Sequence, residues 1–180
     1  MPESDETIFK RVQAGNRAAF AVLVESYQRR GFAVALRLLG NRADAEDAVQ
    51  QAFLRLYESR AAYNPRWRLN TWFYRILTNT CIDWLRRSRP TAPVDGQDFP
   101  THDTPERALV RREQDALLQT ALAAVPVEAR IALTLHYGDR RTYQEIGAIR
   151  GISVNTVKTH LRRGRAALRK ALRARGMERS

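Results

Sequence analysis

Cysteine, histidine and lysine are all scarce in this chain, and each scarcity removes a class of protein. Cys81 is the only cysteine, so no intramolecular disulfide can form. His102, His136 and His160 are too scattered for a metal-ligand cluster, and neither a metal nor any other cofactor is expected. No apolar run approaches the ~18 residues that a membrane span needs. Met1–Lys10 is acidic and lacks an apolar stretch, so it does not read as a signal peptide. The expectation is a soluble cytoplasmic protein with no membrane contact. A phosphate loop, and a nucleophile with a base beside it, are also missing, which argues against an enzyme acting on nucleic acid. No Val/Ile-rich alternating run bounded by turns occurs, so no sheet is expected and the fold class is all-α.

What the chain has instead is arginine. It carries 31 basic against 19 acidic residues, a net charge of +12. Only Lys10, Lys158 and Lys170 are lysines, which leaves 28 arginines. The guanidinium fork suits phosphate and guanine edges, and the excess points to a polyanionic partner. A solvated surface with a compositional arginine bias is the plain alternative.

The charge is unevenly spread. Residues 1–89 hold 15 basic and 9 acidic side chains, and residues 106–180 hold 16 and 7. Between them, residues 90–105 hold three aspartates, no cation and four of the seven prolines. Lacking an apolar period and kept extended by proline, this segment reads as a flexible acidic tether between two helical domains, 1–89 and 106–180.

In the first domain, apolar residues recur at helical spacing from Ile8 to Leu39. Gly40-Asn41 breaks the run, and Asp44 is the predicted cap of the next helix, whose buried stripe is Ala45, Ala48, Val49, Ala52, Phe53 and Leu56. Opposite runs a second stripe, Asp44, Asp47, Gln51, Leu54 and Glu58. Acids near a helix N-terminus are favoured by the dipole alone, so this stripe reads as a solvated face. Leu54 exposed within it points to a partner instead.

Seven of the fifteen aromatics fall between Tyr57 and Trp84, interleaved with Arg60, Arg66, Arg68 and Arg75. A helix capped by Asn70 or Thr71 and running to about Arg87 would turn Phe73, Leu77, Thr80, Cys81 and Trp84 inward. Trp72, Arg75, Asn79, Asp83 and Arg86 would face outward. Tryptophan stacks on exposed bases, arginine holds phosphate and asparagine reads a base edge, so this row suits DNA with unstacked bases. Core packing is the competing use of the aromatics.

The most specific local pattern lies near the C-terminus. Thr142-Tyr-Gln-Glu145 is a capping box before a two-turn helix, with Ile146 and Ile149 inward. Gly147 permits close approach of a neighbour, Gly151 suits a left-handed turn and Ser153 caps a second helix. Cap, short helix, glycine turn, cap and basic helix make a helix-turn-helix, in which the second helix enters the major groove of duplex DNA. Asn155, Thr156, Lys158 and Thr159 are then candidate base readers, with Arg162, Arg163 and Arg165 on phosphates. An ordinary helical hairpin with a basic solvent face is the alternative.

Two blocks resemble the extracytoplasmic-function sigma factors, the smallest type in the sigma-70 family of bacterial initiation factors. Asp44-Ala-Glu-Asp-Ala-Val-Gln-Gln-Ala-Phe-Leu-Arg-Leu-Tyr57, with Thr71-Trp-Phe-Tyr-Arg-Ile-Leu-Thr-Asn79 and Asp83-Trp-Leu-Arg86, is similar to region 2. Leu122-Ala-Ala-Val-Pro-Val-Glu-Ala-Arg130, Tyr143-Gln-Glu-Ile-Gly147 and Gly151-Ile-Ser-Val-Asn-Thr-Val-Lys158 are similar to region 4. The resemblance implies that Asp44, Asp47, Gln51 and Leu54 dock on the clamp helices of the largest subunit of core RNA polymerase. It implies that Trp72, Arg75, Asn79, Arg86 and Arg87 read and open the promoter −10 element, with flipped bases entering near Tyr63–Leu69. It implies that the helix-turn-helix, with Asn155, Thr156, Lys158, Thr159, Arg162 and Arg163, reads the −35 element and also packs on the polymerase flap. The tether would thread toward the RNA exit path. An anti-sigma factor is a further implied partner. Gly147 and Gly164 stand where the family commonly has alanine, which implies softer helices there, and no region 1.1 is present, which implies no regulation from within the chain. A stand-alone helix-turn-helix transcriptional regulator is the alternative, though it would need neither the acidic stripe nor the aromatic segment.

Overall fold

The computed structural model describes residues 3–87 and 105–174, giving only the backbone of 105–113. The expected tether, 90–105, lies outside the described residues except for the backbone of Pro105. Every regular element among the described residues is helical.

The apolar period from Ile8 to Leu39 belongs to two helices, α1 (Asp5–Gln13) and α2 (Arg17–Leu39). Gly15 turns the chain at φ 92°, and Asn16 caps α2 by accepting the Ala19 N–H at 3.0 Å. Gly40, at φ 74°, closes α2 in the left-handed region that glycine tolerates. The cap of α3 (Arg42–Glu58) is Asn41, whose side chain accepts the Asp44 N–H at 3.1 Å. Asp44 therefore lies one turn inside the helix rather than at its cap.

The start of α4 (Leu69–Arg87) also differs from expectation. Neither Asn70 nor Thr71 precedes it; the Leu69 N–H donates instead to Glu6 of α1 at 3.2 Å. A carboxylate from a distant helix thus satisfies an otherwise orphan amide and faces the positive end of the α4 dipole. Helices α1–α4 bury Phe9, Leu23, Leu38, Leu56, Phe73 and Leu77 between them.

In the C-terminal half, α5 (Pro105–Ala123) leads to α6 (Val127–Leu133), which runs on through a wide turn, Thr134–Gly138. Then come α7 (Tyr143–Arg150) and α8 (Val154–Arg173). Ile131, Leu135, Ile146, Ile149, Val157 and Leu161 form their core. Gly164 lets α8 approach α6: an added Cβ would stand 2.9 Å from Leu133 Cδ1 and 3.2 Å from the Ala129 carbonyl. The glycine expected to soften α8 is thus a position of close approach between α8 and α6.

The two halves touch. α7 packs on α4, and the wide turn after α6 packs on α2.

Candidate polymerase and promoter surfaces

Three surfaces carry the candidate residues, and the fold treats them differently. On α3, Asp47, Gln51 and Leu54 are exposed along one face, with Leu54 at 56%. Asp44 is half-buried. The opposite face of α3 carries Ala45, Ala48, Val49, Ala52, Phe53 and Leu56 into the core, as the spacing predicts. A leucine left in water between acidic and amide side chains presents an apolar centre with a polar border.

On α4 the row is less outward than the helical period suggests. Trp72 is half-buried: its ring stacks on Tyr63 at 5.0 Å between centroids and meets the edge of Phe9 at 5.7 Å. The Tyr63 hydroxyl donates to the Trp67 carbonyl at 2.6 Å, pinning the loop between α3 and α4. Tyr63, Trp67 and Trp72, with Ala62, Asn64, Thr71 and Arg75, line a cavity of about 150 Å³. Arg75 lies 5.5 Å from the centroid of the Trp67 ring, which is 48% exposed. Trp72 and Arg75 therefore share one aromatic-walled cavity beside the Tyr63–Leu69 loop, the segment expected to receive flipped bases.

Asn79, one turn on from Arg75, is outside that cavity, and both residues are bonded to the other half of the chain. Arg75 donates from Nε to the Ile149 carbonyl at 3.1 Å and from Nη2 to the Ala148 carbonyl at 3.0 Å. Asn79 Oδ1 accepts from Arg150 Nη1 at 2.8 Å. Asp83 pairs with Arg55 at 3.2 Å, while Arg86 and Arg87 at the end of α4 are exposed.

The helix-turn-helix follows its sequence signals closely. The Glu145 N–H donates to Thr142 Oγ1 at 3.2 Å, and the Thr142 N–H donates to Glu145 Oε2 at 2.8 Å. Gly151 takes φ 67°, and Ser153 Oγ accepts the Thr156 N–H at 3.1 Å. An added Cβ on Gly147 would meet the Ile152 carbonyl oxygen at 2.8 Å, so glycine there sets how tightly the turn closes. Asn155, Lys158, Arg162 and Arg163 are exposed along α8. Thr156 and Thr159 are half-buried, and the Thr159 hydroxyl donates to the Asn155 carbonyl of its own helix at 3.1 Å. Arg165 donates to the Tyr137 hydroxyl at 3.3 Å.

Residues 23–91 match the family model for sigma-70 region 2, and residues 115–168 match the one for sigma-70 region 4. The chain is 36% identical to the ECF RNA polymerase sigma factor SigW of Bacillus subtilis, over 91% of this chain and 94% of that one. The chain belongs to the sigma-70 family. Its place is among the extracytoplasmic-function sigma factors, and as such it directs RNA polymerase to promoters. The RNA polymerase sigma-H factor of Pseudomonas aeruginosa is 30% identical over 94% of each chain. In fold, the chain is similar to CnrH, solved with the cytosolic domain of CnrY, at a TM-score of 0.74 and 22% identity over 96% of this chain and 99% of that one. It is also similar to the sigma factor RpoE of Bartonella quintana, solved with the anti-sigma factor NepR, at 0.67 and 19% over 89% and 98%.

Arg75 aside, the arginines that join the halves carry no role in the sequence analysis. Arg130 is buried, and its two Nη atoms donate to the carbonyls of Leu38 (3.0 Å), Ala123 (2.8 Å) and Val125 (3.1 Å). Burial holds its guanidinium below the ordinary arginine range. Its signal was present: one cation inside the apolar run Ala129-Arg-Ile-Ala-Leu133. Arg141 stacks on the Tyr74 ring at 4.5 Å and pairs with Asp139 at 2.6 Å. No local signal marks that contact, because Tyr74 belongs to the other half.

Proposed function

We propose that this sigma factor divides its work among the three surfaces. The outer face of α3, with Asp44, Asp47, Gln51 and Leu54, docks on the clamp helices of the polymerase largest subunit. An exposed leucine bordered by acids suits a basic partner with an apolar notch. α4 and the Tyr63–Leu69 loop read and open the −10 element. There Trp72 and Arg75 take an unstacked base into the cavity, and Asn79, Arg86 and Arg87 follow the strand. Unstacking a base costs a few kcal/mol, and each base stacked on an aromatic returns about 1–3 kcal/mol. α8 reads the −35 duplex through Asn155, Thr156, Lys158 and Thr159, with Arg162 and Arg163 on phosphates.

We assign residues 1–89 and 106–180 as the −10 and −35 domains and 90–105 as the flexible linker between them. An apolar groove of about 430 Å³, with Leu118, Leu122, Leu133 and Leu168 between Arg37 and Arg165, supports docking of the polymerase flap on the C-terminal domain. An anti-sigma factor is a further proposed partner, since RpoE of Bartonella quintana was solved with the anti-sigma factor NepR. No described helix is long and apolar enough to cross a membrane. We place the protein in the cytoplasm, with the polymerase. The chemistry is the polymerase's; this chain acts as an initiation factor and carries no catalytic group of its own.

The observation that carries this division is the pairing, on one chain, of an aromatic-walled cavity in a basic helix with a fully capped helix-turn-helix. The first suits single strands and the second suits duplex. Run-off transcription with core polymerase tests it. The wild type gives transcripts from a cognate promoter, and Asp47→Lys loses co-elution with core. Retention of core binding by Asp47→Lys together with Leu54→Glu would remove α3 from the docking surface.

A further inference from the structure

The Tyr63–Leu69 loop closes on itself. The Tyr63 hydroxyl donates to the Trp67 carbonyl at 2.6 Å, the Trp67 N–H to the Asn64 carbonyl at 3.0 Å, and the Arg66 N–H to Asn64 Oδ1 at 3.0 Å. Asn64, Pro65, Arg66, Trp67 and Arg68 are all exposed, so these internal bonds do not fix where the loop stands on the domain. α1 fixes it from behind. Glu6, Phe9 and Gln13 fall at i, i+3 and i+7 on one face of α1, and each holds a different part of the segment between α3 and α4. Gln13 Nε2 donates to the Arg60 carbonyl at 2.9 Å, where the chain has just left α3. The fully buried Phe9 ring meets Tyr63 at 5.0 Å and Trp72 at 5.7 Å, backing the two rings that wall the cavity. Glu6 accepts the Leu69 N–H at 3.2 Å, where the loop becomes α4. α1 is itself anchored: Ile8 and Val12 are buried, and Tyr27 of α2 donates its hydroxyl to Asp5.

We propose that α1 positions the −10 base cavity, with Glu6 and Gln13 as positioning residues that hold the Tyr63–Leu69 loop against Trp72, so that a flipped base meets a preformed site. This rests on the assignment of that cavity to the −10 strand. α1 precedes residues 23–91, the stretch that matches sigma-70 region 2, so the back of the cavity comes from outside the segment that carries the family likeness. A loop that had to be ordered on each encounter would charge that cost against base binding; a loop tied at both ends and in the middle meets it during folding.

Charge pulls the other way. Asp5 and Glu6 share a cavity of about 470 Å³ with Arg66, Trp67 and Arg68, and carboxylates beside a strand repel its phosphates. By charge alone, removing Glu6 strengthens the binding of any single strand. By positioning, it weakens the binding of a strand that has a base to insert. The two effects differ in sign and in their need for the base.

The test uses holoenzyme assembled from the full chain and core polymerase. Its probe is a forked promoter that keeps the −35 element paired and leaves the −10 non-template strand single. An abasic site moved through the −10 positions finds the base that fills the cavity, as the position where wild-type affinity falls most. Intact and abasic probes at that position are then compared for E6A, E6Q and Q13A. E6A is expected to bind the intact probe roughly tenfold more weakly, and the abasic probe as well as the wild type does or better. E6Q keeps an acceptor for the Leu69 N–H and recovers most of the loss. Gln13 is exposed, so Q13A reads the same effect without touching the core, at about threefold on the intact probe alone. An equal loss on both probes in E6A and Q13A overturns the positioning role, because α1 then only supports the fold. Tighter binding of both probes by E6A overturns it in favour of charge. If no abasic position weakens the wild type, the assignment of the cavity to the −10 strand fails, and the proposal falls with it.

Discussion

Replacing Gly147 by alanine sets helix propensity against packing, with opposite signs. Propensity alone predicts a gain of about 1 kcal/mol, because glycine inside a helix is that much worse than alanine. Geometry predicts a loss. The new Cβ would stand 2.8 Å from the Ile152 carbonyl oxygen, closer than real Cβ contacts come. That oxygen cannot swing away as a side chain would. Its residue donates its own N–H back to the Gly147 carbonyl at 3.0 Å, and Gly151 holds the turn at φ 67°. Overpacking of this kind costs about 1–3 kcal/mol. A contact this short belongs in the upper half of that range, so the net loss is about 1–2 kcal/mol after propensity is credited. The Tm should fall by roughly 2–8 °C for a chain of this size. Prying the turn open also re-aims α8 against α7, so affinity for −35 duplex should fall with Tm. Circular dichroism melts and fluorescence anisotropy on a duplex measure the two effects together. A Tm that rises, with duplex affinity intact, refutes the packing argument and returns Gly147 to the softening role that the family resemblance implied.

Lys158→Ala should weaken binding to a cognate −35 duplex by about 1–3 kcal/mol while leaving scrambled duplex nearly untouched. An equal loss on both, read by anisotropy, would mean that Lys158 holds phosphate. The Thr142 backbone N–H, helped by the Thr142 hydroxyl and by Arg141, holds the Glu145 carboxyl below its ordinary 4.5. A lowered folded-state value means that its stabilisation is complete above about pH 4.5 and fades as pH falls through the lower value. Melting curves of the wild type and Glu145→Gln should therefore converge on acidification, and a constant gap between them counts against the capping box as the source. Burial pushes the Cys81 thiol up to about 12, so iodoacetamide should fail to label the native chain at neutral pH and should label it in urea. Rapid native labelling would show that the α4 core opens readily.

The helix-turn-helix was legible because each of its signals is local. Thr142 and Glu145 find each other three residues apart, Gly151 needs only its own φ, and Ser153 needs only Thr156. α3 shows where local signals become ambiguous: Asn41 and Asp44 are both good caps, and the choice falls on the residue that directly follows the left-handed Gly40. The start of α4 was not legible at all. Its capping acceptor, Glu6, comes from a helix more than sixty residues upstream. Helical period put Trp72 and Arg75 on the side of α4 away from Phe73 and Leu77, but period knows nothing of what lies over that side. Tyr63 covers the tryptophan, and α7 holds the arginine.

The arginine bias acquires a structural meaning from these contacts. Arg130 reaches three carbonyls with two nitrogens, Arg75 bridges two successive carbonyls with Nε and Nη2, and Arg150 spans Asn79 and Glu128. A lysine, with donors on one point charge, cannot span acceptors set apart in this way. Each of these groups satisfies a helix end or a neighbouring domain while keeping the chemistry that binds phosphate. That dual use sets guanidinium groups beside the apolar side chains in the contact between the halves, where one core cluster runs through both. The apolar part closes because water is excluded from it, and the arginines satisfy the helix-end carbonyls that this closure would otherwise bury without partners.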